Sequence, residues 1–241
     1  MEKAIFIVFK FIIAQNVRNL ESIFWNTIGM PLRYKKNFAD GSSLALWQIE
    51  ETEEELRSQL VISLREEREL ETIRAEKGRV RWLAVRKALN SLFPEDISES
   101  RKDEHGKPFV CNYDGYISLS HSNDFAVAMI HPQHPVGVDI EIIQPKIRRI
   151  VKKFLTDKEI DFVHGEHEIE KLYACWCAKE AIFKWQGKKG ISLKQNIEIH
   201  SFQYTGSGIL QASLNTSEFS KVLKVEYEKV DGYSLAYVCN P

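Results

Sequence analysis

The sequence predicts an α+β fold, because stretches with helical periodicity and stretches with strand-like alternation occupy separate blocks of the chain. Between Thr52 and Phe93, apolar residues recur at steps of three and four, which predicts helices that Pro94 ends. The last 45 residues or so contain four strand-like segments separated by turns: IEIHSFQ, GILQASL, KVLKVEYEKV and YSLAYVC. A chain of 241 residues suffices for one large domain or for two small ones that share a core.

The elements of the first half follow from local signals. The turn Asp40-Gly41-Ser42-Ser43 precedes a predicted strand, LALWQI. Thr52 with Glu55 fits a capping box at the start of the helices. The runs YISLSHS and DFAVAMI, joined by Ser122-Asn123-Asp124, predict a β-hairpin.

In the second half, PVGVDIE is a predicted strand, and KIRRIVKKFLTDKEIDFV predicts two short helices. Thr156 and Glu159 form a second possible capping box between these helices. The segment EKLYACWCAKEAIFKWQGK predicts a longer helix that ends near Gly187.

The composition is that of an ordinary globular protein, with 44% hydrophobic and 28% charged residues. The formal net charge of −1 provides no overall basic field for nucleic acid or anionic lipid, so we expect neither as a partner. An anionic ligand would need a local cluster of cations. The spacing of the four cysteines does not match a zinc site and favours reduced thiols in a cytoplasmic protein.

The apolar run at the start of the chain, Ala4 to Ala14, resembles the core of a signal peptide. Lys10 interrupts it, Glu2 weakens the positive start and no clear cleavage site follows. The run is also shorter than the ~20 apolar residues that cross a bilayer. We interpret it as a strand or an amphipathic element rather than a secretory signal.

Two carboxylates lie in the strand GVDIE. Side chains alternate between the faces of a strand, so Asp139 and Glu141 point the same way, about 6–7 Å apart. Such a pair can bind a hard cation such as Mg²⁺. The alternative is a half-exposed surface strand with its polar residues outside.

The predicted long helix carries charges within an apolar segment, WCAKEAIFKW. Glu180 and Lys184 are four residues apart and share a helical face. The simplest interpretation is an intrahelical ion pair worth only ~0.2–0.5 kcal/mol. Lys179 is expected to reach solvent along its aliphatic stem.

Two further segments have groups that suit a phosphate ligand. SLSHS places hydroxyls around His121 at the end of a strand, and HGKP is a turn that carries Lys107. The alternatives are a histidine satisfied by local hydrogen bonds and an ordinary turn.

Taken together, these signals resemble the 4'-phosphopantetheinyl transferase family, of the monomeric Sfp-like type, over about residues 44–237. The resemblance depends on the order and spacing of four motifs: Gly-Lys-Pro, Ser-His-Ser, GVDIE, and WCAKEA with a lysine four residues after its glutamate. GVDIE and the WxxKEAxxK pattern are the most specific part.

The resemblance implies a pseudo-two-fold monomer of two similar subdomains, each a small antiparallel sheet packed with helices. They would comprise residues 30–135, which contact the nucleotide of coenzyme A, and residues 136–241, which carry the metal site and the catalytic helix. Residues 1–29 would form an N-terminal extension outside the core. The family transfers 4'-phosphopantetheine from coenzyme A to a serine of an acyl, peptidyl or aryl carrier protein and releases adenosine 3',5'-bisphosphate.

The resemblance also implies a role for individual residues. Mg²⁺, or Mn²⁺, would be held by Asp139, Glu141 and Glu180. Lys184 would stabilise charge on the leaving group, and Glu180 would accept the proton of the carrier serine, directly or through a water. The residues expected to bind coenzyme A are Arg81, Arg86, Lys107, Ser120 and His121, with Arg65 and Arg68 as additional phosphate contacts. Glu159 coincides with an acidic position of the family, for which helix capping is a sufficient explanation.

A basic cluster follows the GVDIE strand and comprises Arg148, Arg149, Lys152 and Lys153. This basic patch could steer an acidic apo carrier protein, or it could be a solvated helix face. Two other functions stay open at this point. One is a catalytically silent homologue that binds coenzyme A or a carrier, and the other is a different Mg²⁺-dependent phosphohydrolase.

Overall fold

The computed structural model describes residues 31–97 and 99–239 and contains two main antiparallel sheets, each packed with helices. The predicted α+β class is therefore confirmed. The predicted N-terminal extension, residues 1–29, lies outside the described residues. Within the described part of the chain, no helix combines the length and the apolar character that crossing a membrane requires.

The first sheet has four strands in the order β1-β2-β6-β5. Its strands are β1 (Leu32–Asn37), β2 (Ser43–Gln48), β5 (Tyr116–Ser122) and β6 (Phe125–His131). Asn123 adopts a left-handed conformation, with φ of 46°, in the tight turn between β5 and β6, which confirms the predicted hairpin. Between β2 and β5 the chain forms a separate small hairpin of β3 (Ser100–Lys102) and β4 (Pro108–Val110).

Three helices cover the first sheet: α1 (Glu53–Ser58), α2 (Leu64–Glu71) and α3 (Glu76–Asn90). The predicted capping box of Thr52 and Glu55 starts α1, and a second one, formed by Ser63 and Glu66, starts α2. The buried face of α3 includes Leu83 and Leu89, which pack in one core cluster with residues of β2, β5 and β6.

The second sheet has five strands in the order β7-β11-β10-β9-β8. They are β7 (Val136–Ile142), β8 (Ile197–Ile199), β9 (Ser207–Asn215), β10 (Ser220–Val230) and β11 (Tyr233–Cys239). The predicted strand PVGVDIE and the four predicted C-terminal strands are thus confirmed.

The helical segments of this half are a 3-10 turn (Pro145–Arg149), α4 (Val151–Phe154), α5 (Asp157–Val163) and α6 (Glu168–Gln186). Thr156 and Glu159 form the predicted capping box at the start of α5. The long helix α6 ends at Gly187, whose left-handed φ of 73° terminates the helix as predicted. Most of α6 is buried, since it packs on the second sheet and beneath the preceding helices.

The two sheets meet through a shared apolar core. Leu44 and Val127 of the first sheet pack with Val138 and Leu235 of the second. The division of the chain into halves at residues 135 and 136 stays a prediction.

Next to this core, the edge strands β5 and β7 run side by side. The Ser118 hydroxyl accepts a hydrogen bond from the Val138 amide at 3.0 Å, and the Ser122 hydroxyl accepts one from the Ile142 amide at 3.1 Å. The residue numbers rise together along both strands, so the strands are parallel. We call this junction the β5–β7 seam.

Candidate active site

Close packing of β7 on α6 brings the predicted site residues together. A Cβ atom added to Gly137 would lie 1.9 Å from the Ala181 carbonyl oxygen and 2.8 Å from the Trp185 amide nitrogen. Only glycine therefore permits this approach. As a result, the polar positions of β7 that follow Gly137 face the polar positions of α6.

Asp139 is almost completely buried, with 5% of its surface exposed. Its Oδ1 accepts hydrogen bonds from the Ser120 hydroxyl and from the Lys184 ammonium, both at 2.8 Å. The other oxygen, Oδ2, is buried and receives no hydrogen bond within the described residues. The nearby Cys177 thiol donates to the Ser234 carbonyl instead, at 3.3 Å. A buried carboxylate oxygen without a donor is suited to a cation.

Glu141 and Glu180 lie near enough to Asp139 for its charge to act on both, although the ligand atoms of the three carboxylates do not all lie within 4.8 Å of one another. The Ser122 hydroxyl donates to Glu141 Oε2 at 2.9 Å. Partial burial and then the Asp139 charge raise the pKa of Glu141 above its ordinary value. Burial and then the Asp139 charge also raise the pKa of Glu180, to about 7, although Lys184 acts in the opposite direction. These mutually repelling oxygen donors fit a hard divalent cation such as Mg²⁺ or Mn²⁺.

Lys184, on α6, contacts both strands of the β5–β7 seam. Its ammonium donates to Asp139, to the Val138 carbonyl at 3.0 Å and to the Leu119 carbonyl at 3.2 Å. The simple intrahelical pair with Glu180 is therefore not what the structure shows, because Lys184 pairs with Asp139 on β7. The Lys184 side chain is 27% exposed and faces a cleft.

The cleft beside Lys184 has a volume of about 410 Å³ and is lined by residues from the ranges 69–121 and 183–188. Four of the five residues predicted to bind coenzyme A line it, as does Lys184, and three cations that the sequence reasoning missed line it as well. The predicted residues are Arg86, Lys107, Ser120 and His121, and the missed ones are Arg101, Lys102 and Lys188.

The other predicted arginines lie elsewhere. The Arg81 Nε donates to the Asn123 carbonyl at 3.2 Å, and Arg81 is not among the residues that line the cleft. The exposed Arg65 side chain lies 3.7 Å from the largely buried Glu99 carboxylate. Neither Arg65 nor Arg68 lines the cleft.

Arg86 is buried, and its contacts are mainly with other side chains of the protein interior. Its Nε donates to Glu66 Oε1 at 3.0 Å, and its guanidinium lies on the ring of Trp82. Glu66 also accepts from the amide and the hydroxyl of Ser100, both at 3.2 Å. This pair links α2, α3 and β3, so the role of Arg86 toward a ligand stays a prediction.

Lys107 and His121 are two cleft residues whose pKa is lowered. The Lys107 ammonium donates to the Trp185 carbonyl at 3.1 Å, near the end of α6, and burial lowers its pKa. The pKa of His121 is lowered first by limited hydration in the cleft and then by the charges of Arg81 and Lys184. A bound phosphate would favour the charged form of both side chains.

The expectation that Lys179 reaches solvent is wrong. Its side chain has 0% exposure, and its ammonium lies 2.7 Å from Glu159 Oε1. It also donates to the carbonyls of Phe154, Leu193 and Ile197, at 2.8, 3.1 and 2.6 Å. Because α6 is covered on this side by α4, α5 and the loop before β8, the lysine has no route to water. Glu159 thus holds a buried ammonium in addition to capping α5.

A second group of possible ligand atoms lies outside the cleft. Within the described residues, Asp40, His131 and Cys239 place one ligand atom each within 4.8 Å of one another. However, His131 Nδ1 accepts from the amides of Gln133 and His134 at 2.9 Å, and Nε2 lies 2.8 Å from the Asp40 carbonyl oxygen. Both ring nitrogens are therefore occupied, so the group does not offer a metal site.

The basic patch is exposed on the 3-10 turn and α4, whereas Ile147 and Phe154 of the same segments are buried. Arg148 pairs with Glu168 at 2.8 Å. The other three cations of the patch have no such ion pair within the described residues. Their exposure fits either a docking surface or a solvated face.

Comparison with known proteins connects this geometry to one family. Residues 135–238 match the 4'-phosphopantetheinyl transferase superfamily. This segment contains β7 and α6, and therefore all three carboxylates and Lys184.

Individual relatives carry the same name. The 4'-phosphopantetheinyl transferase AcpT of Escherichia coli K12 is 35% identical over 115 residues, and that alignment covers 45% of this chain and 58% of AcpT. The transferase gsp of Aneurinibacillus migulanus is 32% identical over 111 residues, covering 44% and 46%. The transferase Sfp of Bacillus subtilis is 29% identical over 161 residues, covering 64% and 69%.

The chain spans about half the length of several curated relatives that it matches. The resemblance predicted from the motifs is nevertheless confirmed by both kinds of comparison. Residues 135–238, which contain β7 and α6, are thus similar to the 4'-phosphopantetheinyl transferase superfamily.

Proposed function

We propose that the protein transfers the 4'-phosphopantetheine group from coenzyme A to a serine of an apo carrier protein and releases adenosine 3',5'-bisphosphate. The observation that carries this proposal is that Asp139, whose charge acts on both Glu141 and Glu180, pairs with Lys184, which lines a cation-rich cleft. The relatives named as 4'-phosphopantetheinyl transferases support it.

The cleft suits a polyanionic nucleotide. Cations from both halves line it: Arg101, Lys102 and Lys107 from the β3–β4 hairpin, and Lys184 and Lys188 from α6 and the residues after it. The protein as a whole has a net charge of −1, so this positive charge is concentrated at the cleft. It would hold the phosphates of coenzyme A between the two halves.

Asp139, Glu141 and Glu180 would hold Mg²⁺ or Mn²⁺. The metal would supply charge neutralisation at the pyrophosphate of coenzyme A. The fit follows from Asp139 Oδ2, which has no hydrogen-bond partner among the described residues, and from the repulsion that the Asp139 charge exerts on Glu141 and Glu180. Both ions suit carboxylate donors, so the donor set does not select between them.

The remaining chemistry falls to Lys184 and Glu180. Lys184 points into the cleft with a fixed ammonium, which can stabilise negative charge that develops on the departing phosphate. Burial and the Asp139 charge raise the pKa of Glu180 to about 7 when no metal is bound, and a bound cation would lower it. Glu180 would accept the proton of the attacking serine hydroxyl, directly or through a water. The serine oxygen forms the new bond to phosphorus, and the bond to the adenosine bisphosphate breaks.

The carrier would dock through its acidic surface on the basic patch formed by Arg148, Arg149, Lys152 and Lys153. We further propose that the protein works as a monomer in the cytoplasm. The four free cysteines of the described chain fit a reducing compartment.

Intact-mass spectrometry tests the proposal directly. The protein is incubated with coenzyme A, Mg²⁺ and a panel of apo acyl, peptidyl and aryl carrier proteins. We expect a carrier to gain the mass of one phosphopantetheine arm. Nucleotide release with no carrier modification would instead indicate a phosphohydrolase. The absence of both reactions would indicate a silent binding homologue.

A further inference from the structure

The β5–β7 seam is closed by serine hydroxyls at alternate positions of β5. Ser118 and Ser122 each accept a backbone amide of β7, from Val138 and Ile142. Ser120, between them, donates to the Asp139 carboxylate. The same strand therefore joins the sheets and contacts the proposed metal ligands.

The hydrogen bonds of Ser122 define the direction of its hydroxyl proton. A serine hydroxyl has one hydrogen to donate and two lone pairs that accept. Because Ser122 Oγ accepts the Ile142 amide at 3.1 Å, its hydrogen is available for Glu141 Oε2 at 2.9 Å. Ser122 is only 8% exposed, so water has little access to compete. A bond from a neutral donor to a carboxylate is among the stronger hydrogen bonds of proteins.

The two carboxylates on β7 differ in how they are held. Asp139 is held by both Ser120 and Lys184. Within the described residues, the Glu141 carboxylate receives a hydrogen bond from Ser122, and no ion pair restrains it. The orientation of this longer and more flexible side chain therefore depends on one buried hydroxyl.

We infer that Ser122 is a positioning residue that aims the Glu141 carboxylate at the metal bound by Asp139, Glu141 and Glu180. This inference rests on the proposed function. Partners of this kind, which orient a metal ligand without touching the metal, typically change metal affinity by about 10- to 100-fold when they are removed.

Mn²⁺ binding to the full-length protein, followed by the electron paramagnetic resonance signal of free Mn²⁺, tests the inference without reference to activity. Ser122→Ala removes the hydroxyl, and Ser122→Thr retains it. Ser118→Ala is the matched control, since Ser118 makes the same bond to a β7 amide and is equally buried but does not contact a metal carboxylate.

We expect Ser122→Ala to weaken Mn²⁺ binding by about 10- to 100-fold and Ser122→Thr to recover most of it. Ser118→Ala should bind Mn²⁺ within about twofold of wild type while losing similar thermal stability. Equal Mn²⁺ affinity in wild type and Ser122→Ala, or equal losses in Ser118→Ala and Ser122→Ala, would overturn the inference and leave the metal site standing. Failure of the wild-type protein to bind Mn²⁺ would overturn the metal site together with the inference.

Discussion

Lys179 and Lys184 lie five residues apart on α6, and each pairs with a carboxylate from another element. The Lys179 pair with Glu159 has 0% exposure on both sides, and three carbonyls surround the ammonium. The Lys184 pair with Asp139 is open to the cleft on the lysine side. One helix therefore carries a closed pair, which can only support the fold, and an open pair, which can reach a ligand.

The two pairs differ in burial and not in residue type, and we propose that burial separates a structural role from a chemical one on this helix. In both pairs the ammonium has at least three protein acceptors, but only in the closed pair do both oxygens of the carboxylate accept hydrogen bonds within the described residues. In the open pair, Asp139 Oδ2 has no donor in the part of the chain that the structure describes, and the Lys184 ammonium lies in the cleft with other cations. The predictions below separate the two roles by measuring stability and transfer on the same variants.

The largest expected effect is on stability, from Lys179→Ala. Removing one partner leaves the Glu159 carboxylate charged and buried, which should lower the free energy of unfolding by about 3–5 kcal/mol in urea titrations. Lys158→Ala is the control, because Lys158 forms an exposed pair with Glu198 at 2.6 Å. We expect no measurable loss from that variant. Equal losses for both variants would mean that burial does not distinguish these pairs.

Lys184→Ala should affect the turnover of carrier modification strongly and the free energy of unfolding weakly. If Lys184 stabilises charge at the phosphates as proposed, loss of its ammonium should reduce the turnover of carrier modification by about 10²–10³-fold. The free energy of unfolding should fall much less than in Lys179→Ala, since Lys184 is part-exposed and water can replace its contacts. Unchanged turnover, with only a change in stability, would assign Lys184 a structural role.

The carboxylate cluster predicts a pH dependence that a divalent cation should reverse. Burial and the Asp139 charge raise the pKa of Glu180 from 4.5 to about 7, so between these values the folded protein binds more protons than the unfolded chain. In EDTA, stability should therefore fall as pH rises through this window.

Mg²⁺ favours the ionised carboxylates, so it should stabilise the protein more at pH 8 than at pH 5. At a concentration of 100 Kd, the gain at the higher pH should approach ~2.7 kcal/mol. Urea unfolding with and without Mg²⁺ measures it. The same Mg²⁺ effect at both pH values, or none at either, would argue against a cation at these carboxylates.

The smallest effect is expected at the basic patch, which lies away from both lysine pairs. Charge reversal by Arg149→Glu and Lys152→Glu should raise the apparent KM for the carrier and weaken its dependence on salt. Coenzyme A affinity, measured by calorimetry, should stay the same. An unchanged KM for the carrier, with unchanged salt dependence, would identify the patch as a solvated helix face.

Sequence reasoning reached most of the fold because its signals are local. The capping boxes at Thr52 and Thr156, the hairpin turn at Asn123 and the helix end at Gly187 each depend on a few neighbouring residues. Strand alternation likewise placed Asp139 and Glu141 on one face, where both contact serines of β5.

Features that depend on distant segments were beyond its reach. The burial of Lys179 depends on Glu159 and on carbonyls as far away as residue 197, which periodicity along α6 cannot reveal. The partner of Arg86 is Glu66, twenty residues earlier on another helix. The cleft cations Arg101 and Lys102 belong to a charged segment whose sequence predicts a loop. The β3–β4 hairpin, which the sequence does not predict, brings them to the cleft.

The most direct test of the account is the rate of carrier modification by Glu180→Gln at saturating Mg²⁺ and coenzyme A, followed by intact-mass spectrometry. This variant keeps the size of the side chain but removes both a carboxylate donor for the metal and the proposed base. We predict that nearly all transfer is lost while the protein stays folded and unfolds cooperatively in urea. Turnover close to that of the wild type would contradict the assignment of Glu180 and, with it, the proposed active site.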